Sequence, residues 1–145
     1  MRTRGWSFIV LISAAVAAPA HGQEPHVAQM YLDVMTRVWG EHGSLDDLEA
    51  LGVLLADDAG YRHDSFGAEI QGREEIIGAM TQFLGASRSP ELSHVRMVQT
   101  EDGWILSFHL SREIERDGEW APVWRHHFTV LETEGGLITR VLDYR

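Results

Sequence analysis

Val27, Met30, Tyr31, Val34, Met35, Val38 and Trp39 recur at steps of three and four residues, which lays one apolar stripe along a four-turn helix stopping at Gly40. Ser44-Leu45-Asp46-Asp47 has the form of a capping box, and it opens a second helix whose Leu45, Leu48, Leu51 and Leu55 share a face. A short extended segment is expected at Gly60 to Phe66. Gly72 then leads into a third helix, with Glu74 and Glu75 in its first turn and Ile76, Ile77, Met80, Phe83 and Leu84 turned inward. From Glu91 onward the apolar period changes to two. The strands it predicts are separated by Asp102-Gly103, Asp117-Gly118 and Gly135-Gly136, each a two-residue hairpin signal. Helices followed by a four-stranded antiparallel meander define an α+β domain.

The first residues do not fit that domain. Arg2 and Arg4 precede an almost unbroken apolar run from Trp6 to Ala18, and small residues follow at Ala18-Pro19-Ala20-His21-Gly22. This is the pattern of a secretory signal peptide over residues 1–22, with the working domain at 23–145. A helix of that run rises about 20 Å, too short for a hydrocarbon core of about 30 Å. The expectation is therefore a periplasmic or secreted protein with no membrane association once the leader is cut. Removing the two arginines takes the formal net charge from −10 to −12. So acidic a chain, with no cluster of arginines, is not built to bind nucleic acid.

Composition narrows the chemistry. Among the 145 residues there is no Cys, and all 12 cationic residues counted as Lys or Arg are Arg. Thiolate nucleophiles, Cys-ligated metals and lysine Schiff bases are thereby excluded. Proton chemistry falls to His, carboxylates and Tyr. His126 and His127 are adjacent on a strand and point to opposite faces, so they do not chelate one ion together. His109, His126 and Asp143 are a conceivable two-His, one-carboxylate set, but no local motif fixes them, and neither a metal nor another cofactor is expected.

The hairpins permit a register. A two-residue turn at Asp102-Gly103 sets Glu101 opposite Trp104 and Arg96 opposite His109; one at Asp117-Gly118 sets His109 opposite His126; one at Gly135-Gly136 sets Phe128 opposite Asp143. One face then carries Arg96, Ser107, His109, Ser111, His126 and Asp143 among Val98, Ile105, Trp124, Phe128 and Val141. The other carries Val95, Met97, Trp104, Leu106, Phe108, Leu110, Leu131, Ile138, Leu142 and Tyr144. In one assignment the mixed face lines a pocket, with Trp124, Phe128, Ile105, Val141 and Arg96 contacting ligand, and a second subunit covers the apolar face. In the other the apolar face lies under the helices and the polar row faces water.

Four stretches, in order, carry a family resemblance: Ala28-Gln29-Met30-Tyr31-Leu32, Leu54 through Asp64, Gly72-Arg73-Glu74-Glu75-Ile76-Ile77, and His126-His127-Phe128-Thr129-Val130 through Asp143-Tyr144-Arg145. Together they resemble the nuclear-transport-factor-2-like superfamily, in particular its SnoaL-like polyketide cyclase and ketosteroid isomerase branches. The resemblance implies a cone, with three N-terminal helices packed on a curved antiparallel sheet, enclosing a pocket for a small and often apolar molecule. His63, or Asp64 one residue on, stands where isomerase-like relatives place their carboxylate base. A histidine also titrates near neutrality. Tyr31 matches a first-helix tyrosine that donates to an oxyanion, and its helical spacing equally suits the core. Asp143-Tyr144 matches a final-strand Asp-Tyr that holds a catalytic aspartate in related epoxide hydrolases. The catalytic candidates are thus His63, Asp143, His126, His109 and Tyr31. Two functions fit: cofactor-free isomerisation, cyclisation, dehydration or hydrolysis of a small, partly apolar molecule, or non-catalytic binding by the same fold. A homodimer through the sheet face suits either.

Overall fold

The computed structural model describes residues 26–65, 67 and 69–144, so the expected signal peptide lies outside the described residues. Helix α1 (Val27–Trp39) follows the predicted stripe and buries Ala28, Tyr31, Leu32, Val34, Met35, Val38 and Trp39. Its start is fixed twice by His26, whose Nδ1 accepts the Gln29 N–H at 3.2 Å while the ring stacks 4.0 Å from that of Trp104. Helix α2 (Leu45–Leu54) has the predicted capping box: the Ser44 side chain accepts the Asp47 N–H, and the Asp47 carboxylate accepts the Ser44 N–H. Arg37 donates to the same carboxylate at 2.8 Å and ties α1 to α2. Ser44→Ala removes one half of the box, and a fall in stability of about 1 kcal/mol is expected in urea denaturation.

Strand β1 (Leu55–His63) begins where the helical pattern was expected to continue, and a hairpin to β2 (Glu69–Gln71) separates it from α3 (Arg73–Met80). The three helices are therefore not contiguous at the N-terminus. A 3-10 turn (Thr81–Phe83) leads to β3 (Arg88–Gln99), β4 (Gly103–Arg116), β5 (Glu119–Glu134) and β6 (Leu137–Tyr144). The sheet is six-stranded and mixed, not a four-stranded meander: its order is β2-β1-β6-β5-β4-β3, and β1 runs parallel to β6. The fold is α+β, as expected.

Alternation along β4 decides which face is covered. Leu106, Phe108 and Leu110 are almost wholly buried, as are Leu131, Ile138 and Val141. Burying side chains of this size stabilises by about 1.5–3 kcal/mol each. That apolar face packs under α1 and α2. The mixed face is thus the outer one, so the pocket assignment for it is corrected.

Two irregularities account for the remaining differences in register. The connection at Asp102-Gly103 is a four-residue turn, closed by Thr100 N–H to Gly103 carbonyl at 2.8 Å. Arg96 accordingly faces Ser107 rather than His109, and a shift at Ser93/Arg96 brings Ser93 opposite His109. In β6 an extra residue between the Glu132–Arg140 and Thr133–Ile138 pairs sets Phe128 opposite Tyr144 and Thr129 opposite Asp143. A one-residue slip moves every side chain beyond it to the other face.

Candidate functional site

That slip gathers the buried polar groups under the helices. His63 and Asp143 are register partners across the parallel β1–β6 pair, and the Asp64 N–H donates to the Asp143 carbonyl at 3.0 Å. Their side chains share the inner face: His63 Nε2 lies 3.9 Å from Asp143 Oδ2. Thr129, opposite Asp143 on β5, donates its hydroxyl to Oδ1 at 3.0 Å. His127, two residues along on the same face, brings Nδ1 within 3.8 Å of that oxygen and stacks on Phe108 at 5.1 Å. His63, His127, Thr129 and Asp143 are all buried.

The hydrogen bonds fix roles. Nδ1 of His63 accepts the Ser65 N–H at 3.1 Å, so the neutral ring carries its proton on Nε2, directed at Asp143. The Asp64 carboxylate is a second neighbour of Nδ1, at 3.3 Å. From α1, Tyr31 enters the same interior. Burial, then the nearness of Tyr61 and Asp143, push its hydroxyl well above the usual tyrosine range. It remains a neutral phenol, able to donate but not to act as a base near neutral pH.

A cavity of about 230 Å³ reaches this group from the side of α3. Its walls are Tyr61, His63, Ile70, Ala79, Met80, Gln82 and Phe83, so among the described residues only His63 joins it to Asp143. None of these residues is cationic. A wider, more open depression of about 290 Å³ on the outer surface, beside Ser111 and Trp124, contains none of the buried titratable groups.

Of the residues expected at the site, His63, Asp143, Tyr31 and Val141 are buried on the helix side. His109, His126, Trp124, Phe128, Ile105 and Arg96 lie on the opposite face, because the helices cover the Leu106–Phe108–Leu110 row. Asp143 therefore cannot join His109 and His126. Among the described residues, no group of three or more His, Cys, Asp or Glu is arranged to hold a metal ion. His127, Thr129 and the cavity wall at Ile70, Met80 and Phe83 were not anticipated. Alternation from the Leu106–Phe108 row points to the first two, since they face those residues across β5.

With β1, β5 and β6 converging in this way, the chain belongs to the SnoaL-like domain family, whose model matches residues 34–141. No curated protein matches it in sequence. Among solved structures it is similar to a hypothetical protein of Catenulispora acidiphila DSM 44928 with a ketosteroid isomerase-like fold, in complex with trimethylamine, at 22% identity and TM-score 0.61, over 85% of this chain and 87% of that one. A Pseudomonas putida KT2440 protein proposed to be a polyketide cyclase aligns at 15% identity and TM-score 0.64, over 84% and 92%. An epoxide hydrolase from M. tuberculosis aligns at 18% identity and TM-score 0.59, over 81% of each. At these identities the likeness establishes the fold and leaves the reaction to be argued from the site.

Proposed function

We propose that this SnoaL-like domain is an exported protein that takes a small, uncharged, partly apolar molecule into the cavity beside His63 and performs cofactor-free acid–base chemistry on it. One observation carries the reading: His63 lines the cavity with its far ring nitrogen set against a buried carboxylate. A carboxylate behind an imidazole favours the imidazolium, which is the state reached when the ring removes a proton from a ligand. Tyr31, held neutral nearby, is the donor for a developing oxyanion if the ligand reaches it. The mostly apolar wall, without Lys or Arg among the described residues, suits a neutral ligand, and its volume sits below the range of drug-sized pockets. Epoxide hydrolysis, named for one of the similar structures, suits a neutral molecule, as does isomerisation. The Arg2 to Ala18 segment supports export into the periplasm or medium, and the outer sheet face supports a homodimer.

One detail favours the alternative, a module that binds without turnover. Nδ1 of His63, the nitrogen that would take a proton, already accepts the Ser65 N–H. Catalysis requires the Ser65 contact to open.

The test is titration with a β,γ-unsaturated cyclic ketone and with a monocyclic epoxide, followed by NMR of the Met80 methyl and the His63 ring. Saturable shifts of both groups are expected with at least one compound, and loss of binding in Met80→Trp, which fills the cavity. A His63 shift that persists in Met80→Trp, or no shift with either compound in the wild-type chain, would overturn the assignment of this cavity.

A further inference from the structure

The outer face of β3–β6 is organised in cross-strand rows. Val98, Ile105, Val130 and Leu142 form one, and Arg96, Ser107, Phe128 and Tyr144 the next. Exposure is high for residues so apolar: 61% for Trp124, 56% for Val98, 43% for Tyr144 and 40% for Phe128. Two rows across four strands and three across three strands, at about 6.8 Å between rows and about 4.8 Å between strands, span roughly 550 Å² in projection. A corrugated face has more accessible area than its projection, which brings it near the roughly 800 Å² per partner of a stable interface.

Across the middle of this face run three histidines. The His109 ring lies 4.8 Å from that of His94 and 5.1 Å from that of His126, and packs edge-on against Trp124 at 4.5 Å. His109 and His126 are direct cross-strand partners. His94 arrives differently: it sits at the irregularity in β3 with φ +52°, a left-handed conformation unfavourable for a residue with a Cβ. The bulge places its ring beside His109.

We propose that, where a second copy of this chain covers the outer face, the His94, His109 and His126 row makes the association pH-dependent, firm near neutrality and released in mild acid. The inference rests on the homodimer reading given above and adds its control. Three neutral imidazoles are compatible with burial among Trp124 and Phe128. Three imidazoliums within about 5 Å repel one another and lose solvation when covered. The other charged groups of this face stand in other rows: Arg96 opposite Ser107 and Glu91 opposite Ser111 next to the histidines, and farther off Arg88 opposite Glu113, Glu115 opposite Trp120 and Glu132 opposite Arg140, with Arg88 also stacked over Trp120. Among the described residues, no carboxylate is in register with His109 or His126 to offset their charge.

The uncovered chain already leans this way. His109 is held below the usual histidine range, first by partial desolvation, then by His94 and His126. A covering partner extends the same shift. A depressed imidazole contributes to association above its free titration range and opposes it as pH falls through that range. Each histidine kept neutral is expected to weaken association on the order of tenfold between about pH 7.5 and about pH 5.

Sedimentation equilibrium of the chain as exported tests this, with far-UV circular dichroism monitoring the fold. The expected result is a dimer near neutral pH that dissociates in mild acid while remaining folded, and a His109→Asn/His126→Asn double variant that stays dimeric at both. Dissociation that is unchanged in the double variant, or a dimer indifferent to pH, would overturn the histidine control. A monomer at every pH would instead overturn the homodimer reading, and with it this inference, without touching the cavity assignment. If the double variant does not fold, His94→Asn at the edge of the row is expected to narrow the pH response; an identical response would again overturn the control.

Discussion

Gly103→Ala is expected to cost about 4 kcal/mol or more, in the range where a domain of ordinary stability is largely unfolded. Gly103 opens β4 directly opposite Glu132, is buried, and has φ +155°. A Cβ built there stands 1.9 Å from the Leu131 carbonyl oxygen and 3.1 Å from the Glu132 Cα. Both are backbone atoms, so no rotamer change relieves the contact. The end of β5 must move away from β4, and Leu131, which is fully buried, moves with it. Gly118→Ala is the control, because its φ of +84° is also positive but nothing lies within 4 Å of the added Cβ. There only the left-handed penalty of about 1–2 kcal/mol applies. Urea midpoints for the two variants check the contrast, and equal losses would show that the close approach at Gly103 is relieved elsewhere.

The same glycine shows how far sequence patterns reach. Asp102-Gly103 and Asp117-Gly118 look alike as dipeptides. The second is the two-residue turn it suggests, with Arg116 opposite Glu119 and hence His109 opposite His126. At the first, the glycine is required by the approach of a neighbouring strand, and the turn is wider by two residues. An even error keeps side chains on their faces, so it did little damage. An odd error does the opposite. The single extra residue near Thr139 transfers Asp143 from the company of His126 to that of Thr129 and His127, and no residue type there announces it. Threonine is an ordinary strand former, and bulges are set by packing of the whole sheet. The parallel β1–β6 pairing was equally hidden, because it joins segments about eighty residues apart and β1 includes the polar run Asp57-Asp58. His63 and Asp143 were visible only as family-like positions; their register partnership required the fold.

Asp143→Asn is expected to leave stability unchanged or slightly raised while lowering turnover of a responding ketone or epoxide by about 10²–10⁴-fold. The two halves follow from one geometry. The introduced amide is nearly isosteric, and its carbonyl oxygen can still accept the Thr129 hydroxyl that now bonds Oδ1 at 3.0 Å. What disappears is a negative charge in a site only 7% exposed. Removing that charge relieves a desolvation cost that imidazoles at 3.8 and 3.9 Å offset only in part. A core of pure packing would register the change, if at all, as a small gain in melting temperature. A proton-transfer site would lose turnover as well, because the imidazolium formed at His63 then lacks the buried carboxylate beside Nε2 and keeps only the more exposed Asp64 carboxylate near Nδ1. Turnover that survives the substitution would exclude Asp143 from the chemistry. If the wild-type chain binds a test compound without converting it, and Asp143→Asn binds it equally well, the domain is a binding module. In that case the carboxylate serves only to anchor His63 at the end of β1.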